Sequence, residues 1–149
     1  MARSFRLEPV LALAQRRLES ATAELQKLAQ RRADTQSRLD QLLQFLADYR
    51  QQYRAALHAG LDQARMQDFR AFLAKLERAV DLQNADVRRC QEAWSAKHSE
   101  WLDLRQREQA MNVLKDRHRA AELARDGKRE QKQQDEFAGR RILGDQASD

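Results

Sequence analysis

Apolar residues recur along the first third of this chain at alternating steps of three and four. One series is Leu11, Leu18, Leu25, Arg32, Leu39, Leu46 and Tyr53, and the interleaved series is Ala14, Ala21, Leu28, Thr35, Leu42, Tyr49 and Ala56. These are the a and d positions of a heptad repeat, with one polar layer at Arg32 and Thr35. A seven-residue period sustained over this length predicts a left-handed supercoil rather than a lone amphipathic helix. Pro9 fits within the first helical turn, where its missing N–H costs little. The predicted helix runs over about 6–57, roughly 75 Å at 1.5 Å per residue.

The stretch "HAGLDQAR", about 58–65, breaks the pattern and holds the only glycine before residue 127, so it predicts the turn. A second series follows, with Met66, Leu73, Val80, Val87, Trp94 and Trp101 at a and Phe69, Leu76, Gln83, Cys90, Lys97 and Leu104 at d. Beyond Leu104 the apolar residues become Met111, Leu114, His118 and Ala121, which predicts a frame slip near "RQREQ". The second helix is expected over about 66–137, with a frayed tail over about 138–149. Two heptad helices and a short turn predict an all-α fold, an antiparallel two-helix coiled-coil hairpin forming an elongated rod and a single domain. Folding about residue 62 sets Tyr53 against Leu73, Leu39 against Val87, Leu25 against Trp101 and Arg32 against Trp94. Arg32 can then either stack on the indole or run its stem out of the seam to water.

Composition sharpens this picture. The chain has 149 residues, of which 34% are charged, with only 4 Gly and 1 Pro, the balance of a long helix rather than a sheet fold. The single cysteine, Cys90, forms no internal disulfide and suits a reducing compartment. The opening "MARSFRLEP" lacks an apolar secretory core, and no apolar run reaches the roughly 18 residues of a membrane span. A cytoplasmic protein is expected. The net charge of +5 is uneven: residues 1–32 hold seven basic and three acidic groups, and residues 115–141 nine and six. Residues 33–114 are neutral. A hairpin brings the two basic segments to one end.

No catalytic constellation stands out. There is no phosphate-binding glycine loop, no paired cysteines and no histidine pair at metal-ligand spacing, and two helices form no closed pocket. No enzyme activity, cofactor, metal or small-molecule ligand is expected. The basic residues are interleaved with acids and Gln, as in "RDGKREQKQQDE", which argues against a nucleic-acid partner. One feature exceeds what a seam needs. In "DFRAFLAKLERAV", Phe72 and Ala79 fall at g and make, with Leu76 and Gln83, a second stripe beside the seam. Across the turn, Tyr49 and Tyr53 occupy seam positions, with Phe45 at g beside them. Either Phe72 folds over to thicken the seam or seals a self-interface, or an apolar patch stands open for a partner.

The segments "FRLEPVLALAQRRLESATAEL", "YRQQYRAAL", "FRAFLAKLERAVDLQ" and "REQKQQDEFAGR", in this order and spacing, resemble the FliJ family of the bacterial flagellar type III export apparatus. The resemblance covers nearly the whole chain. It implies an antiparallel coiled coil like the central stalk of rotary ATPases, non-enzymatic and a monomer when free. It implies three partners: the hexameric export ATPase, the membrane export gate and export chaperones. The location implied is cytoplasmic, peripherally at the inner membrane beneath the flagellum. Matched by position, the gate contact falls on Leu42, Leu46, Tyr49 and Tyr53 of the first helix and Phe72, Leu76, Ala79 and Gln83 of the second. The ATPase contact falls at the chain ends, on Leu7, Leu11, Arg16, Glu136 and Phe137. Rival readings are a homo-oligomeric coiled-coil scaffold, the stalk protein of a virulence secretion system, and a nucleic-acid-binding hairpin.

Overall fold

A computed structural model describes residues 3–147. Two α-helices account for nearly all of them: α1, Glu8–Ala59, of 52 residues, and α2, Gln63–Ala147, of 85 residues. Among the described residues there is no strand. Glu8 at the start of α1 suits the positive end of the helix dipole. The helix closes at Gly60, whose φ of 92° is left-handed and open to glycine at little cost. Asp62 then caps α2: its Oδ1 accepts from the Arg65 N–H at 2.8 Å. The connection is therefore tighter than the 58–65 expected from sequence. His58 and Ala59 on one side and Gln63, Ala64 and Arg65 on the other join the helices, Ala, Gln and Arg being good helix formers.

Contacts group the chain into two units, Met1–Leu18 with Asp103–Asp149, and Glu19–Leu102. In the second unit the cross-helix partners run in opposite senses. Tyr53 meets Phe69, Arg50 meets Glu77, Arg32 meets Trp94 and Thr22 meets Trp101, so the helices are antiparallel. The core of this unit is Leu39, Leu46, Leu76 and Val80, with Leu42, Tyr49, Leu73 and Val87 packed against it. All eight are a or d residues. Its polar layers are answered across the seam. The Arg32 guanidinium lies 4.1 Å from the Trp94 ring centroid, and the Gln83 amide donates to the Thr35 carbonyl at 3.0 Å. Lys97, at a d position, pairs with Glu24 of α1 and with Glu100. These hydrogen bonds, Glu24 first, hold the ammonium above the usual lysine range, and Lys97 in turn holds the Glu24 carboxyl below the usual carboxylate range.

In the other unit, Leu11 is the most buried side chain. Here one expectation is overturned. Leu114 is 42% exposed and Ala121 is exposed, while Glu108, Met111, Lys115, His118 and Glu122 are all covered at least in part. These continue the a/d frame of Trp101 and Leu104 without a slip. Polar residues occupy the seam there, and the apolar ones beside them are merely surface. The expected frayed tail is also different: helix continues through 138–147, and 148–149 lie outside the described residues. Gly139 and Gly144 each cost helix stability but neither interrupts the backbone ladder.

Candidate functional site

The aromatic residues singled out from the sequence come together in the unit Glu19–Leu102. The Tyr49 ring lies 4.6 Å from Phe72 and 5.3 Å from Phe69, and Tyr53 lies 5.3 Å from Phe69. Phe45 meets Phe72 edge-on at 6.3 Å with an interplanar angle of 82°. Five rings in such tilted and edge contacts gain beyond simple area burial. The cluster is graded from inside to outside. Phe69, Tyr49 and Tyr53 are half-buried, whereas Phe72 keeps 38% and Phe45 keeps 50% of its surface in water. The heptad explains the grading: Phe45 and Phe72 are both g residues, so they flank the seam from the two helices and close on each other above it.

The other predicted contact residues divide by depth. Leu46 and Leu76 are buried core residues, and Leu42 packs against them. Ala79 and Gln83 are half-buried, with Gln83 held by Thr35. Beside Phe45 a surface groove is lined by Arg38, Gln41, Leu42, Phe45 and Gln83. Arg38 and Gln41 were not among the residues drawn from the sequence. Their signal was available in principle, since Arg38 shares the g stripe of Phe45. The Tyr53 hydroxyl accepts from Arg70 Nε at 3.3 Å, which fixes its rim position.

The residues predicted at the chain ends do not form one site. Leu11 is buried, while Leu7 and Arg16 are exposed. Glu8 pairs with Lys115 at 3.2 Å. Glu136 lies 21 residues further along α2, about 30 Å at the helical rise, so it does not reach Leu7 or Leu11. From residue 131 to 146 every position of α2 is exposed, including Phe137 at 65%, Ile142 at 60% and Leu143 at 67%. An apolar groove of about 350 Å³ lies in the same unit between Val10, Leu13 and Ala14 of α1 and Leu104, Ala110 and Met111 of α2, with Arg17 and Arg107 on its lining.

Among the described residues no cluster of His, Cys, Asp or Glu could hold a metal ion, and no helix is long and apolar enough to cross a membrane.

A family model described as "Flagellar FliJ protein" matches residues 3–147. The chain is 29% identical over 147 residues to the flagellar FliJ protein of Salmonella typhi, covering 96% of this chain and 97% of that protein. It is 25% identical over 143 residues to the flagellar FliJ protein of Escherichia coli strain K12, again covering 96% and 97%. No solved structure matches. The family model spans residues 3–147 of this all-α helical hairpin, so the chain belongs to the FliJ family of flagellar proteins.

Proposed function

We propose that this protein is a non-enzymatic component of the bacterial flagellar protein export apparatus that joins two partners. In this reading the unit containing both chain ends binds the hexameric export ATPase. The unit Glu19–Leu102 offers the edge formed by Phe45 and Phe72 to the membrane export gate, and unloaded export chaperones are handled on the same protein. It works in the cytoplasm, peripherally at the inner membrane. The observation that carries the reading is the open Phe45–Phe72 pair standing on a core that is already complete without it. Aromatic side chains exposed over a firm base are the usual anchors of protein interfaces. A partner meets Phe45, Phe72, Tyr49, Tyr53, Ala79 and Gln83, while Leu46 and Leu76 support that surface from below.

Both helices run without a break through the two units. In this reading the role is mechanical and allosteric rather than chemical. The test is sedimentation of the purified chain with the export ATPase and a non-hydrolysable nucleotide, alongside capture by the soluble part of the gate. Phe72→Asp is expected to keep ATPase binding and lose gate capture by at least tenfold. Loss of both, or of neither, would sink this assignment of surfaces. Self-association abolished by Phe72→Asp would instead favour the homo-oligomeric scaffold.

A further inference from the structure

In the unit formed by Met1–Leu18 and Asp103–Asp149, the a and d positions of α2 over 115–122 are Lys115, His118 and Glu122, none of them apolar. Apolar seam contacts cannot hold α1 and α2 together at this point. A different set of interactions does. Lys115 Nζ pairs with Glu8 Oε1 at 3.2 Å. One His118 ring nitrogen, Nε2, lies 2.9 Å from the Arg3 carbonyl oxygen, and the His118 ring lies 5.6 Å from Phe5. The Arg3 backbone N–H donates to Glu122 Oε2 at 3.4 Å. The Glu122 side chain keeps only 7% of its surface in water and also accepts from Arg125 at 3.1 Å.

Each polar seam residue of α2 is thus met by the short segment that precedes α1 or by its first residue. Phe5 and Arg3 lie outside the helix, and the Glu8 N–H donates back to the Phe5 carbonyl at 3.1 Å, which turns the segment into α1. A buried carboxylate that accepts a backbone N–H is a specific device, because an unpaired one is costly to keep from water. We infer that residues 3–7 are a polar strap that closes this unit and opens without disturbing the unit Glu19–Leu102. Closed, it shields Glu122 and sets the Phe5 ring at a tilt against His118. Open, it returns Glu122 and the start of α1 to solvent, where a partner can reach them. The opening is local because the strap touches no residue of the apolar core centred on Leu39, Leu46, Leu76 and Val80.

The strap carries its own reporter. Arg3 and Arg6 are trypsin sites within it, and both tryptophans of the chain, Trp94 and Trp101, lie in the other unit. Limited trypsin digestion of the full chain, read by intact mass, follows cleavage after Arg6. Urea unfolding read by tryptophan fluorescence follows the unit Glu19–Leu102. Cleavage of a transiently opened segment tracks its open population. Glu122→Ala is expected to speed cleavage after Arg6 at least about tenfold, the factor that about 1.4 kcal/mol of lost charge-assisted hydrogen bonding gives. The tryptophan midpoint should stay at the wild-type value. The double variant Phe5→Ala, His118→Ala removes the other half of the strap and should act the same way with Glu122 intact. Wild-type cleavage rates in both variants would overturn the proposal. So would a tryptophan midpoint that falls in step with faster cleavage, since opening would then be global.

Discussion

The Arg32 guanidinium sits 4.1 Å from the Trp94 ring centroid and also donates to Gln91 at 3.4 Å, so the charged residue of the α1 seam is stacked rather than turned away. A half-buried arginine over an indole face gains about 0.5–2 kcal/mol and covers the ring with its planar group.

Arg32→Ala should therefore lower stability by about 1–2 kcal/mol, since it loses both the stack and the covering stem. Arg32→Lys should recover only part, because an ammonium keeps the charge but not the plane. Urea titrations read by tryptophan fluorescence would show the order wild type, Lys, Ala. An alanine variant as stable as the wild type would mean that the stack contributes nothing net.

Packing depth separates the core residue Leu46 from Phe72 above it. Leu46→Ala removes a side chain with 5% exposure and should cost about 2–5 kcal/mol by leaving a cavity. Phe72→Ala, at 38% exposure, should cost about 1 kcal/mol despite the larger side chain, because water already reaches it. Equal losses in the two variants would show that Phe72 belongs to the core, and the open-surface reading of the aromatic face would fall with it.

The Lys97–Glu24 pair gives a pH signature of known sign. Glu24 is held below its usual range by the hydrogen bond from Lys97, so its contribution is present above the ordinary carboxylate pKa and is lost as pH falls through the lowered value. Lys97 is held above its usual range by Glu24 and then Glu100, so its contribution is present below the ordinary lysine pKa and is lost as pH rises through the raised one. Glu24→Gln should flatten the acid-side slope of stability and leave the alkaline loss partly in place, since Glu100 still faces Lys97. Chemical denaturation across both limbs checks this. The slope change should be small, because Glu24 is largely exposed and water screens the pair.

Much of this was legible from spacing alone. The heptad frame placed Leu39, Leu46, Leu76 and Val80 in one core, because a seven-residue period fixes which face meets the partner helix. Folding about residue 62 placed Arg32 opposite Trp94. The pattern failed where the seam turned polar. Apolar content suggested Leu114 and Ala121, yet the frame ran on through Lys115, His118 and Glu122, whose partners lie in a segment with no period of its own. Periodicity reports apolar burial, and it is blind to a charge buried against backbone. The family resemblance, for its part, gave Leu46 and Leu76 the same standing as Phe72 in the candidate interface. Only their depth tells support from surface.

The stretch of α2 from 131 to 146 is helical and exposed at every position. A helix with no packed face depends on local propensity alone, and isolated helices of this length are marginal in water. Removing residues 126–149 should therefore leave the tryptophan unfolding midpoint within about 0.5 kcal/mol of the full chain, the range of changes away from any packed feature. Circular dichroism should lose no more signal than the deleted share of α2. If the stretch carries part of the ATPase contact through Phe137, co-sedimentation with the ATPase should weaken while gate capture through Phe72 persists. A midpoint lowered by several kcal/mol would instead mean that Phe137, Ile142 and Leu143 pack against something in the free protein, and the first candidate would be a second copy of this chain.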